Sequence, residues 1–307
     1  MTAPSPLSSS SKPAATPTPS PAPAKPPRRQ GAPALYGALP LILLFFTLIV
    51  TPLVLTFSLS FAEFDYNTGI QPGYTLANYW TVFTDSYFIE IFWRTLWMSA
   101  VTTVLCVVIG APQAYILNRM RAPWRSIVLL IVLSPLLISL VVRAFGWSLL
   151  LGPHGPIGAV TQALGVGTLL YTPAGVILGL VHVMLPFMVI PVWTSLQKLD
   201  PAVEHAAYSL SASPWQTLTR VVLPQNMPGI LSGSLIVFGL TASSFAVPAL
   251  LGWRRLKMVA TVVYDEFMNE LNWPLGATIA ILLLVANVIV MMGYNRIVER
   301  SYRRSLG

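Results

Sequence analysis

Apolar residues in this chain gather into long runs without a single charged side chain, separated by short polar stretches. Residues 35–62, 95–118, 126–142, 221–253 and 271–295 contain no Asp, Glu, Lys or Arg. Residues 155–197 are uncharged apart from His182, and Tyr171-Thr172-Pro173 interrupts that run, so its helix is placed at about 173–196. A helix needs about 20 apolar residues to cross a bilayer. The pattern therefore predicts six membrane helices, at about 36–61, 94–118, 126–151, 173–196, 229–251 and 275–295, with Arg143 falling inside the third.

One polar stretch breaks the rhythm in an informative way. Between the fourth and fifth runs lies DPAVEHAAYSLSASPWQTLTRVVLP, Asp200 to Pro224. It reads as two short helices with clean starts. Asp200 caps the first, with Pro201 at its first position, and Ser213 caps the second, with Pro214 in the same place. Pro224 is expected to stop the second, because it lacks an N–H and its ring crowds the preceding turn. A rigid helix–turn–helix of low hydrophobicity on the face of a membrane domain suits the docking of a partner protein, the bland alternative being an interfacial helix with no partner.

Composition fixes the class. Hydrophobic residues make up 55% and charged residues 9% of the 307 positions, where a soluble domain carries roughly 25% charged. The net charge of +8 is a topology signal and forms no nucleic-acid patch. Of the 18 basic residues, 13 lie before span one, between spans two and three, in the insert region or after span six, with only Asp200, Glu204 and Glu299 beside them. The positive-inside rule puts both termini and the insert in the cytoplasm.

Residues 1–34 hold ten prolines among Ala, Ser and Thr, a composition that builds no core and predicts a disordered cytoplasmic tail. The membrane domain is placed at 35–300 and a basic tail at 301–307. A cleaved signal peptide ending at Ser60-Phe61-Ala62 is the rival reading of the first run, but its apolar stretch far exceeds the roughly 7–15 residues such peptides carry. The first external loop, residues 63–93, holds ten aromatic residues. They read either as an interfacial belt or as a platform for an external partner.

Several chemistries are excluded. No lysine follows a glycine, so a phosphate-binding GxxxxGK loop is absent. His154, His182 and His205 are scattered without metal-ligand spacing, and no metal site is expected. Cys106 is the only cysteine, so disulfides contribute nothing. His182 fits a neutral histidine bonded to a neighbouring helix better than a ligand. Arg143 has two readings: a functional intramembrane charge on the solute pathway, or a side chain snorkelling to the nearer interface.

The insert and its flanking spans resemble the permease subunits of bacterial ABC importers. Their signature runs Glu-Ala-Ala, three residues, Gly, about nine residues, an aliphatic, one residue and Leu-Pro. In this sequence Ala206-Ala207, Val221 and Leu223-Pro224 match. His205 stands at the glutamate position, Glu204 one place early, and Ser211 at the glycine position. The stretches LGPHGPI (151–157), LPFMVIPVWTSLQKLD (185–200), SFAVPALLG (244–252) and NWPLGA (272–277) narrow the resemblance to the spermidine/putrescine permease group.

The resemblance implies an all-α, type I importer-like permease of the bacterial inner membrane, itself without catalytic activity or cofactor. It implies a cytoplasmic ABC ATPase dimer that uses the ATP, a second permease subunit and an external solute-binding protein as partners. Glu204, His205, Ala206, Ala207, Ser211, Leu223 and Pro224 would form the coupling insert against the ATPase. A polyamine is the first expectation for the solute. Relatives that carry an opine, phosphonate, iron or organic acid keep those alternatives open, and an ion-coupled secondary transporter is the reading from another class. The latter needs acidic or histidine ion sites at mid-depth, and no Asp or Glu falls inside any predicted span.

Overall fold

The computed structural model describes the backbone of residues 33–305. The tails expected at 1–34 and 301–307 lie largely outside these residues, or outside those whose side chains are described. Contacts divide the chain into residues 1–51 and 52–307. Helix α1 spans Pro33–Leu59, and its described side chains up to Thr51 are mostly exposed and apolar.

After α1 the chain forms a small antiparallel hairpin, β1 (Ala62–Asp65) and β2 (Gly69–Tyr74). Apolar runs alone did not predict it. Its turn is set by Asp65, whose Oδ1 accepts from the backbone N–H groups of Asn67 (2.8 Å) and Thr68 (3.1 Å). Those bonds hold the Asp65 carboxyl below the usual range. Helix α2 (Ala77–Thr84) follows. Ser60, the candidate cleavage position, is fully buried. Its carbonyl accepts from Asn78 Nδ2 (3.2 Å) and from Thr278 Oγ1 (2.9 Å), so this segment is built into the domain.

Three predicted spans form as continuous helices: α3 (Ser86–Arg119) contains the second, α7 (Pro173–Leu196) coincides with the fourth, and the sixth lies within α14 (Trp273–Ser305). The third is broken into α4 (Trp124–Leu137) and α5 (Leu140–Leu151), followed by α6 (Pro156–Ala163), with a bend of 98° at the break. Pro135 cannot donate to the Ile131 carbonyl, and Ser134 Oγ bonds that carbonyl instead at 2.8 Å. The chain then turns extended at Ile138.

The fifth predicted span is also divided. Helix α11 (Met227–Ala242) ends before Ser243, and α12 (Ala246–Leu251) begins three residues later. Pro248 leaves the Ser244 carbonyl without its helical donor, which disfavours one continuous helix across that point. A short helix, α13 (Val259–Met268), then leads into α14. Among the described residues, three helices are long and apolar enough to cross a membrane unbroken, with two bent pairs as further candidates, Trp124–Leu137 with Leu140–Ala163 and Pro214–Gln225 with Met227–Ala242.

Helices α3, α7 and α11 form the central bundle. With lipid outside as apolar as the core, helices associate through close packing, which small residues permit. Met188 of α7 is fully buried between Gly110 of α3 and Gly233 of α11. A β-carbon at either glycine would come within 2.8 Å of the Met188 side chain. A second apolar cluster joins Phe88 and Ile91 of α3 to Val259 and Val262 of α13 and Ile279 of α14. The outer faces of α3 and α14 stay apolar and exposed, as at Val104, Val108, Leu284 and Ile289, suited to lipid.

Candidate functional site

The insert after α7 folds as its start signals require. Helix α8 (Pro201–Ser209) begins where Asp200 Oδ1 accepts from the Ala202 N–H at 2.9 Å. Helix α9 (Pro214–Thr217) opens with a complete capping box: Gln216 N–H donates to Ser213 Oγ (3.2 Å), and Ser213 N–H donates to Gln216 Oε1 (2.9 Å). Between them the chain makes a Schellman closure. Ser211 N–H donates to the Tyr208 carbonyl (2.9 Å) and Ala212 N–H to the Ala207 carbonyl (3.1 Å). Ser211 therefore adopts the left-handed conformation, with φ of 61°, at the position where glycine is usual.

Pro224 does not stop the second helix, contrary to expectation. The chain widens into a π turn at Leu218–Val222, in which Leu223 N–H reaches back to the Leu218 carbonyl. Helical geometry then continues through α10 (Leu223–Gln225) and breaks at Asn226. The wider turn directly before Pro224 relieves the crowding that a proline ring causes in a regular helix. Val222 and Leu218 pack into the same core cluster as Leu196 and Ala111, which seats the insert on the helix bundle.

The named insert residues divide into an inner and an outer set. Ala207 is buried at 8% exposure, so its methyl is used inside the chain. Ala206, His205 and Ser211 are exposed, as are Leu223 and Pro224. Beside them, and missed by motif reasoning, stand Leu210 at 85% exposure and Trp215 at 71%. Both are large apolar residues on a polar element, and that contrast was available in the sequence.

Glu204 turns inward and forms an ion pair with Arg119 at the end of α3. Arg119 also donates to Tyr208 Oη (3.4 Å) and lies 4.6 Å over the Tyr115 ring. Arg119 had carried only a topology meaning in the sequence. With the partners 85 positions apart in sequence, no local pattern announced the pair.

A second polar cluster lies between α5 and α7, its residues half-buried. Arg143 of α5, the candidate pathway residue, has Nε and Nη1 buried without hydrogen-bond partners among the described residues. Close by, Trp147 Nε1–H donates to His182 Nδ1 on α7 at 3.1 Å. His182 is thus the neutral, helix-bonded histidine the sequence suggested. On the side away from the insert, Phe245, Trp253, Lys257, Thr261, Tyr264 and Asp265 line an open cavity of about 240 Å³. Its Phe245 and Tyr264 rings stand 4.5 Å apart, and Lys257 Nζ pairs with Asp265 at 2.6 Å. Among the described residues no group of three or more His, Cys, Asp or Glu side chains is placed to hold a metal ion.

A polytopic helix bundle carrying a capped helix–turn–helix insert is the fold of an ABC transporter permease. Solved structures with this fold include the permease chain of a bacterial ABC transporter that imports the acidic polysaccharide alginate. That chain matches with a TM-score of 0.72 at 21% identity, covering 87% of this chain and 95% of that one. A chain of the MetNI methionine ABC transporter in inward-facing form matches with a TM-score of 0.54 at 20% identity, covering 70% and 95% respectively. Residues 36–304 match the model of one family, and the chain belongs to it: the binding-protein-dependent transport system inner membrane component. It is a permease subunit of an ABC importer.

Among curated relatives, the spermidine/putrescine transport system permease protein PotB of Haemophilus influenzae is 33% identical over 258 residues, 83% of this chain and 89% of that protein. PotB of Escherichia coli K12 is 31% identical over 252 residues, covering 81% and 91%. The molybdenum transport permease ModB of Azotobacter vinelandii is 33% identical over a shorter 198 residues, 62% of this chain and 88% of that protein.

Proposed function

We propose that this permease moves a polyamine, spermidine or putrescine, from an external binding protein into the cytoplasm, driven by ATP hydrolysis on a partner ATPase dimer. The observation that carries the solute assignment is the 33% identity to a spermidine/putrescine permease across 83% of the chain. The match to ModB at the same identity covers only 62%, which favours the polyamine over the oxyanion. The rings of Phe245, Trp253 and Tyr264 in the open cavity support the same reading, because aromatic faces attract ammonium groups, while Asp265 is engaged by Lys257.

In this reading the chain crosses the membrane six times, with α4 and α5 counted as one passage, α11 and α12 as another, and both termini in the cytoplasm. A second permease completes the pathway. The insert docks on the ATPase through Ala206, Leu210, Trp215 and Leu223, while Ala207 and Glu204 hold the insert's shape from within. Closure of the ATPase dimer pushes on the insert, and the Arg119–Glu204 pair together with the Val222 and Leu218 packing passes that movement to the bundle, a rigid-body switch between packed states. Ser211 and Pro224 set the turn and the exit angle, and His205 remains an exposed contact.

Reconstitution tests the proposal. The chain is coexpressed with its ATPase, second permease and external binding protein, and uptake of radiolabelled spermidine and putrescine into proteoliposomes is measured. Uptake that requires ATP and binding protein supports the reading. ATP-dependent uptake of a carboxylate or phosphonate solute, with none of polyamine, overturns the solute; failure of any ATPase to copurify overturns the assembly. Cysteine labelling at Gly155 and Ser305 on a background lacking Cys106 tests the topology, which external labelling of Ser305 in intact cells would refute.

A further inference from the structure

We propose that Arg143 and His182 form the donor half of a carboxylate-binding site at mid-depth in the membrane domain. The inference rests on the permease reading and goes beyond it, since neither polyamine transport nor the coupling insert calls for such a group.

Depth comes first. His182 lies about 14 Å along α7 from Pro173 and about 21 Å from Leu196, at 1.5 Å per residue. Trp147 joins His182 to α5, one helical turn beyond Arg143. The cluster therefore occupies the apolar stretch of the bundle, away from either end of α7.

The hydrogen-bond inventory then dictates the chemistry. By donating to Nδ1, Trp147 fixes the tautomer of His182 and leaves Nε2–H as its outward polar group. The Trp147 donor is used in that bond. Arg143 has no acceptor of its own, is always charged, and has Nε and Nη1 buried without partners. The remaining groups are all donors around one full positive charge, so the missing partner is an acceptor, and an anionic one.

Among the described residues no carboxylate pairs with Arg143. No acidic residue lies between Glu90 and Asp200, nor between Glu204 and Asp265. The three ion pairs among the described residues involve Arg94, Arg119 and Lys257. Arg143 as a whole is half-buried, and its Nε and Nη1 are the enclosed atoms. An unpaired charge at this depth is expensive, and a carboxylate removes that cost. It comes either from a membrane helix of the second permease or from the solute.

Arg143→Met separates these sources and tests the site. In the full chain purified alone, the substitution removes an unpaired charge, so the melting temperature is expected to hold or rise. In the assembled transporter it is expected to be harmful. If the carboxylate belongs to the second permease, copurification of that subunit drops at least tenfold, while Arg143→Lys retains most of it. If it belongs to the solute, assembly is intact, the wild type takes up labelled octopine and not spermidine, the concentration of octopine for half-maximal uptake rises at least tenfold in Arg143→Met, and the polyamine assignment is replaced.

His182→Leu should weaken the same readout and His182→Gln, which keeps a donor, should restore part of it. A clear fall in melting temperature of the isolated Arg143→Met chain shows that Arg143 is satisfied internally and overturns the proposal. So do assembly and uptake both within twofold of wild type. A wild-type chain that assembles with no ATPase would defeat the permease reading instead, a result distinct from either.

Discussion

Replacing Ser211 tests whether the insert is held by one strained residue. Its φ of 61° is a conformation that costs an L-residue about 1–2 kcal/mol and costs glycine almost nothing. Ser211→Gly recovers that penalty but loses about 0.4–1 kcal/mol to the greater freedom of glycine in the unfolded chain, leaving a net gain of about 0.5–1 kcal/mol. Ser211→Val goes the other way, because a β-branched residue at positive φ is a true outlier, and a further loss of about 1–2 kcal/mol is expected.

The amides that report this are those of Ser211 and Ala212, bonded to the Tyr208 and Ala207 carbonyls. One to two kcal/mol changes a local opening equilibrium by about 5–30-fold. Hydrogen exchange of peptides covering residues 200–224 should therefore slow by about two- to fivefold in Ser211→Gly and accelerate fivefold or more in Ser211→Val. Uptake coupled to ATP turnover should fall in the valine variant and persist in the glycine variant. Equal exchange in all three proteins would refute the strained closure, and with it the account of how the two insert helices are fixed.

Other variants test the remaining arguments. Arg119→Glu and Glu204→Arg should each weaken coupling of ATP hydrolysis to transport, and the double swap should restore part of it; both side chains are partly solvent-exposed, so a double-mutant cycle is expected to give only about 0.5–1 kcal/mol, and no rescue would mean the pair transmits nothing. Ala206→Trp should leave the isolated chain folded while reducing ATPase copurification, whereas Ala207→Trp should lower the melting temperature of the chain alone, since that methyl is buried; the same effect from both would erase the inner and outer division. Burial, reinforced by Glu270 and Asp265 and opposed by Lys257, raises the Glu266 carboxyl to about 7. The folded protein then keeps a proton that the unfolded chain releases above its ordinary value near 4.5, so this group's contribution falls as pH rises from about 4.5 to 7. Glu266→Gln should therefore gain thermal stability relative to wild type at pH 8 and lose that advantage at pH 5, and a difference independent of pH would contradict the assignment.

Local rules were enough to read much of this protein. Charge-free runs fixed its membrane character, because no soluble surface can be built from them. Asp200 and Ser213 marked the insert helices, because a cap acts within three residues of its own position. The α7 boundaries were legible for the same reason: Thr172 and Pro173 start the helix and the apolar run ends with it. Breaks were harder to see. Pro135 and Pro248 were visible, but proline inside an apolar run either kinks a helix or divides it, and packing of the surrounding helices decides which. The π turn before Pro224 is of the same kind.

Tertiary structure alone decided which neighbours meet. Ala206 and Ala207 are adjacent and chemically identical, yet the rotation of α8 against the bundle buries one and exposes the other. Glu204 finds Arg119 across 85 residues, and His182 takes its proton donor from Trp147 on another helix. Arg143 was recognisable from sequence as a charge in an apolar run. Only the tertiary arrangement encloses its Nε and Nη1 without hydrogen-bond partners among the described residues, because hydrogen-bond satisfaction belongs to three-dimensional neighbours and not to the order of residues along the chain.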